Sequence, residues 1–258
     1  MNVNKAAELL LANWRASTRI DALPQDCRPE SREQGYAIAA AIASQSGQAV
    51  AGWKIAATSE AGQRHINVDG PLAGRILADR LRGPGAEVPL GDNIMRVAEA
   101  EFAFAFGSDL PPRGAPYEMD EAMAEVSALH LAIEVPDSRY DDFTKAGAAQ
   151  LIADTACASW LVLGEAVAAD WRRIDLAAHA VAGFRNGAKV AEGAGRAVLG
   201  DPRLALVWFV NEAARHCGGV RKGQFVTTGT CLVPIAIAPG DRLGMDFGTL
   251  GGIAASIV

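Results

Sequence analysis

From Arg96 to Phe106 the chain reads Arg-Val-Ala-Glu-Ala-Glu-Phe-Ala-Phe-Ala-Phe, a run that few folds can accept. An extended strand turns alternate side chains to opposite faces. Phe102, Phe104 and Phe106 therefore share one face, and Glu99, Glu101, Ala103 and Ala105 share the other. The phenylalanine face has to pack on a core. The opposite face carries two carboxylates roughly 7 Å apart, with alanines beside them that leave room for an ion and a small ligand. Carboxylates at this spacing can turn their oxygens onto one hard cation such as Mg²⁺ or Mn²⁺. The same pattern describes a solvated outer face, because glutamate is seldom buried unpaired, so the metal reading needs a third acid.

A second strand provides one. In Leu129-His130-Leu131-Ala132-Ile133-Glu134-Val135-Pro136 the four odd-numbered residues from Leu129 to Val135 point to a core, and His130, Ala132 and Glu134 point the other way. A helix is expected just before it, over residues 119–128. Three acids gathered from two apolar strands repel one another unless a cation holds them together. Lys54 is the complementary oddity, a lone cation within the apolar strand 49–57. Burying an ammonium is costly, so Lys54 either extends its head to water or faces an anionic site.

The remaining chain supplies the frame. Residues 4–17 and 32–46 read as helices, the second opened by Ser31 and Gln34 and stopped at Gly47. Thr58-Ser59-Glu60 caps a short helix reaching His65, and residues 67–76 form a turn-rich loop that contains Asp69. Asn186-Gly187 fits a tight type I′ hairpin, and Asp201-Pro202 starts a helix that ends at Gly218-Gly219. Strands are expected over 158–164, 225–230, 231–238, 242–247 and 251–258. The Gly-rich stretch 192–200 lacks the Lys-Ser/Thr ending of a phosphate loop. A boundary is expected near residue 90, between a helical N-terminal or cap region (1–90) and a main β domain (91–258), with one continuous domain over 1–258 as the alternative.

Composition narrows the classes. Half of the 258 residues are hydrophobic, ample for a globular core, and the net charge is −6 with scattered Lys and Arg, which excludes nucleic acid as the expected partner. No apolar run suits a membrane span or a secretory leader, so a cytoplasmic protein is expected. Cys27, Cys157, Cys217 and Cys231 are far apart and read as buried free thiols.

Several ordered pieces carry a family resemblance: GWKIAATS at 52–59, GPLAGRI at 70–76, EAEFAF at 99–104, AIEVPDSRY at 132–140, LIAD at 151–154, VLGDP at 198–202 and TTGT at 227–230, followed by APGDR and FGTLGGI. In their order and spacing the chain resembles the fumarylacetoacetate hydrolase superfamily, in its 2-oxopent-4-enoate hydratase and 4-oxalocrotonate decarboxylase branch. The resemblance implies an α+β fold with a mixed, barrel-like β-roll core and flanking helices. It also implies a homo-oligomer, Mg²⁺ or Mn²⁺ on carboxylates matching Glu99, Glu101 and Glu134, and Lys54 at the active site. Where several hydratases carry an acid two residues before the motif glycine, this chain has Leu72, which favours the decarboxylase relatives. Asp69 is a nearby but unmatched catalytic candidate, and the usual glutamine of the second helix is replaced near Ala39.

The activity so implied is hydration of a 2-hydroxy-2,4-dienoate to a 4-hydroxy-2-oxo acid in aromatic catabolism, with Lys54 holding the substrate carboxylate or moving protons. Ser138, Arg139, Asp154, Thr228 and Thr230 are the candidate substrate contacts. The alternatives are a 4-oxalocrotonate-type decarboxylase, a C–C hydrolase, which would need a His-Glu pair such as His65 and Glu60, and a non-catalytic partner in complex with a related hydratase or decarboxylase.

Overall fold

In the computed structural model, which describes residues 1–258, α1 (Val3–Ala16) and α2 (Arg32–Ser46) pack together. Asn2 caps α1 by accepting from Lys5 N, Ser31 caps α2, and Gly47 ends α2 at φ 72°. Their apolar faces bury Leu10, Ile38 and Ile42 against Tyr140 and Ala153, a core separate from the main one. The chain continues through β1 (Val50–Ala56), α3 (Glu60–His65), β2 (Leu72–Leu77), β3 (Leu81–Arg82), β4 (Glu87–Val88) and β5 (Val97–Phe106). Next come α4 (Met119–Ala124), β6 (Val126–Val135), α5 (Phe143–Ala146), α6 (Ala148–Ala153) and β7 (Trp160–Ala166). The last third holds β8 (Ala180–Arg185), β9 (Ala188–Ala194), α7 (Pro202–His216), β10 (Phe225–Thr230), β11 (Ile235–Ala236), β12 (Arg242–Asp246) and β13 (Gly252–Ile257).

Two sheets result. The larger runs β2-β1-β10-β5-β6-β7-β3, with β11 also on β5, and the smaller runs β4-β13-β12-β8-β9. β2 and β3 lie at opposite edges of the larger sheet, yet only residues 78–80 separate them in sequence. So short a link spans at most roughly 14 Å, so the sheet curls until its edges approach: a half-barrel, α+β in class, as the family resemblance implies.

The phenylalanine face of β5 is the convex side. Phe102 meets Phe247 at 5.1 Å between ring centroids, Phe104 meets Trp171 at 6.0 Å, and Phe106 meets Phe209 of α7 at 6.4 Å. On the concave side Ile76, Ala103, Ala132, Leu161 and Phe225 form a small second cluster, and alanines there leave the space in which the acids stand. No helix is long and apolar enough to cross a membrane.

Three local expectations change. The helix expected over 119–128 stops at Ala124, because Val126 already pairs with Phe106 and the tertiary ladder overrides local helix preference. Of 231–238, only Ile235–Ala236 forms a strand, paired with Ala98 and Val97. Of the four free cysteines, Cys217 is half-buried and not buried.

Candidate metal centre and substrate cavity

β5 and β6 run antiparallel with Glu99 directly opposite Glu134, and Glu101 lies two residues along, between Ala132 of β6 and Thr230 of β10. One oxygen from each of the three carboxylates lies within 4.8 Å of the others. An octahedral Mg²⁺ site spaces its oxygens roughly 3–4 Å apart, which small side-chain rotations reach from here. The orphaned atoms point the same way. Glu101 Oε1 and both Glu134 oxygens are buried without a hydrogen-bond donor, and Glu101 Oε2 accepts only from Gly229 N at 2.8 Å. Buried carboxylate oxygens left this way are strongly unfavourable unless a cation completes them. The donor set therefore fits Mg²⁺ or Mn²⁺.

Lys54 enters from β1, where it pairs with Thr227 of β10 and Gly74 of β2. Its Nζ lies 2.9 Å from Glu134 Oε1, an ion pair whose angle is too poor for a hydrogen bond, and donates to Ala156 O at 3.1 Å. Burial acts to lower the Lys54 pKa, but Glu134, Glu99 and Glu101 outweigh it and raise it. Burial and Glu134 push Glu99 up to about 7 against the pull of Lys54. Burial and the two other acids hold Glu101 well above the carboxylate range.

The carbonyl that meets Lys54 belongs to an unusual turn. Thr155, Ala156 and Cys157 have φ of 50°, 50° and 62°, three successive left-handed residues with no glycine among them. Each costs roughly 1–2 kcal/mol relative to a right-handed conformation, so something must hold the turn. Asp154 accepts from Ser138 Oγ at 2.8 Å and Arg139 N at 3.0 Å and is ion-paired with Arg139 Nε. Arg139 also donates to the carbonyls of Asp154 and Ala158, all of it buried. Gly74 makes room from the other side, since a Cβ there would lie 1.9 Å from Thr155 O. Gly229, at φ +104°, likewise has no space for a Cβ beside Thr58 Oγ1, and its N–H serves Glu101.

Lys54 and Glu99 open onto a cavity of about 820 Å³ whose wall includes Thr58, His65, Leu72, Phe143, Leu151 and Thr230. Of the residues expected from sequence, Glu99, Glu101, Glu134 and Lys54 come together. Thr230 reaches the cavity, although its hydroxyl already donates to Leu232 O at 2.8 Å. Thr228 is buried and donates to Phe102 O at 3.2 Å, outside the cavity wall. Ser138, Arg139 and Asp154 also stand outside that wall, engaged with one another, and Asp69 is exposed in its loop. Ala39 is buried in α2, away from the cavity, whereas Leu72 lines it.

His65 packs edge-on against Phe143, 5.8 Å between centroids, while Glu60 pairs with Arg64 at 3.4 Å on the surface, so the two form no dyad. Thr227 was not anticipated. It is fully buried beside Lys54 with an unpartnered hydroxyl, and the alternation Phe225, Thr227, Gly229 along β10 was the signal for it. The Ala156 carbonyl carried no side-chain signal at all.

No family model matches the chain. It is 31% identical over 213 residues to a 4-oxalocrotonate decarboxylase of Pseudomonas putida, covering 82% of this chain and 79% of the relative. It is 33% identical over 209 residues to 2-keto-4-pentenoate hydratase 1 of Dechloromonas aromatica, covering 81% and 78% respectively. Among solved structures, the 4-oxalocrotonate decarboxylase from Pseudomonas putida G7, complexed with magnesium and adipate, superposes with a TM-score of 0.88. That match has 25% identity and covers 99% of this chain and 97% of the other.

Proposed function

Because the chain belongs to the 2-keto-4-pentenoate hydratase and 4-oxalocrotonate decarboxylase branch of the fumarylacetoacetate hydrolase superfamily, we propose that it is a metal-dependent lyase that hydrates a 2-hydroxy-2,4-dienoic acid to a 4-hydroxy-2-oxo acid, in the cytoplasmic breakdown of aromatic compounds. The observation that carries this reading is the convergence of Glu99, Glu101 and Glu134 beside Lys54 at the inner end of a cavity.

Glu99, Glu101 and Glu134 would hold Mg²⁺ or Mn²⁺, which supplies a Lewis acid for the carboxylate and 2-oxo oxygens of a 2-oxo acid. The chain's own residues do the rest. An ammonium has three donors. Lys54 directs one to Ala156 O and turns another side to Glu134, which leaves a third for the substrate carboxylate or a proton in transit. Gly229 N orients Glu101, and the turn at 155–157, held by Asp154 and Arg139, orients Lys54. Proton transfer is assigned to Lys54, since Asp69 lies outside the cavity wall.

A decarboxylase reading is kept because the Pseudomonas putida G7 decarboxylase shares the fold over 99% of this chain and because Leu72 is apolar. One experiment separates the two. The purified chain receives 2-hydroxypenta-2,4-dienoate and 4-oxalocrotonate in separate reactions, with Mg²⁺ and then with a chelator, while dienol absorbance and CO₂ are followed. Metal-dependent loss of absorbance without CO₂ supports hydration, and CO₂ release supports decarboxylation. Neither, with metal binding intact, overturns both and leaves the non-catalytic partner role. The C–C hydrolase reading lacks its His-Glu pair. A homo-oligomer, alone or with a related enzyme, is expected by light scattering.

A further inference from the structure

The cavity is much larger than the parent pentadienoate needs. At about 820 Å³ it lies within the range of roughly 300–1,000 Å³ that encloses drug-sized ligands. Its one lysine stands at the metal end beside Glu99. Apart from the thiols Cys157 and Cys231, the ionisable side chains in the wall are Lys54, His65, Glu99 and Glu192, and the one free donor of Lys54 lies at the metal end, beside Glu134 and Ala156 O. Glu192, at the open side of the wall, is already ion-paired with Lys189 at 2.5 Å, and His65 rests its ring against Phe143. The nearby Arg64 is on the surface with Glu60 and is not part of the wall. No lysine or arginine other than Lys54 lines the cavity.

The surface facing a substrate's far end is apolar. Val97 lies one strand repeat beyond Glu99 on the same face of β5, and Leu72, Leu151, Ile66 and Phe143 continue the wall. The apolar character reaches the mouth. Ile94 and Val233, 41% and 74% exposed, are two of the few large hydrophobic side chains that the protein leaves open to solvent, and both line this cavity. A second carboxylate at the end of the substrate chain would be desolvated against this apolar wall, which offers it no lysine or arginine of its own. An alkyl or aryl tail would instead cover apolar wall.

We infer that this cavity selects 2-hydroxy-2,4-dienoic acids with an apolar substituent at the end remote from the 2-oxo group and discriminates against those ending in a second carboxylate. The inference rests on the proposed binding of a 2-oxo acid at Glu99, Glu101 and Glu134, and it favours hydratase over decarboxylase substrates.

The test uses unreactive 2-oxo acids, so that it reads binding and not turnover. Pyruvate, 2-oxoheptanoate and 2-oxoadipate are titrated calorimetrically into the full chain with saturating Mg²⁺ and again with a chelator. The expected result is metal-dependent binding in which 2-oxoheptanoate binds at least tenfold more tightly than either pyruvate or 2-oxoadipate. In Ile94→Lys, which alters only the exposed mouth, and in Phe143→Arg, the preference for 2-oxoheptanoate over 2-oxoadipate should fall at least fivefold. Metal-dependent binding of pyruvate with no gain from the tail, or with 2-oxoadipate equal or tighter, overturns the selectivity and leaves the metal-site reading standing. Absence of metal-dependent binding by all three acids overturns both.

Discussion

Glu99 and Glu134 stand directly opposite each other across the antiparallel β5–β6 pair, both with their carboxylates on the concave side of the sheet. Like charges at that register are destabilising, and Glu101 adds a third acid within reach of both. The arrangement weakens the metal-free fold in order to prepare a site, which gives a prediction with two signs. Glu101→Gln keeps an acceptor for Gly229 N and removes an acid whose ionisation burial and its two neighbours oppose, so at pH 8 with chelator its Tm should rise by about 2–4 °C, corresponding to about 1 kcal/mol in a domain of this size. Mg²⁺ affinity, read by calorimetry, should fall at least tenfold, as it should for Glu99→Gln and Glu134→Gln. A variant that keeps full affinity removes that residue from the proposed ligand set.

Removing the metal should act on the whole fold. A cation that binds only the native state at 100 times its Kd stabilises it by about 2.7 kcal/mol. Scanning calorimetry with Mg²⁺ in that excess, and with chelator, should show a concentration-dependent rise in Tm. The rise should be lost when Glu134, neither of whose oxygens accepts a hydrogen bond, is replaced by Gln.

Arg139 and Asp154 form a buried pair that does not line the cavity yet holds the turn whose Ala156 carbonyl meets Lys54. Breaking such a pair from one side leaves a buried charge and costs about 3–5 kcal/mol. Arg139→Met should therefore lower the denaturation midpoint sharply and reduce turnover without a substrate contact being lost. Arg139→Lys should not restore it, because a lysine cannot reproduce the donors to the Asp154 carboxylate, Asp154 O and Ala158 O together. Urea titration of both variants checks this.

These residues mark where the sequence was readable. Glu99, Glu101 and Glu134 could be placed on one face because strand alternation is a strict geometric rule. Lys54 stood out because a cation inside an apolar strand needs a reason. Ser138, Arg139 and Asp154 were recognisable as polar groups with a task, but not for which partner. The partner was one another across sequence separations of 15 and 16, and the turn they hold has positive φ without any glycine to announce it. Spacing along a strand predicts direction, whereas closure between distant segments depends on how the sheet curls.

The motif Gly70-Pro71-Leu72-Ala73-Gly74 contains two glycines of unequal weight. A Cβ on Gly70 meets nothing within 4 Å, and one on Gly74 would lie 1.9 Å from Thr155 O. Gly70→Ala should stay within about 0.5 kcal/mol of the parent. Gly74→Ala must displace the 155–157 turn, and loss of both stability and Lys54-dependent turnover is expected by thermal melt and by assay. Equal behaviour of the two variants would refute the tight approach of β2 to that turn.

Lys54→Met separates charge from shape, since the methionine fills most of the lysine's volume without its ammonium. In the metal-free protein the change leaves three clustered acids, two of them fully buried, with no cation, because Lys54 is the only positive charge paired with any of them. Its stability should therefore fall by an amount typical of breaking a buried pair, about 3–5 kcal/mol. In the metal-loaded protein the acids have a cation of their own, so most of that loss should be recovered. Mg²⁺ affinity should be unchanged or tighter, since a like charge beside the site has been removed. Turnover should still drop at least a hundredfold, the scale on which a positioned proton donor contributes. Calorimetric Mg²⁺ titration alongside the hydration assay tests the pair of outcomes. Loss of metal binding in Lys54→Met would make the lysine part of the scaffold of the site, and retained turnover would move proton transfer to another group facing the cavity.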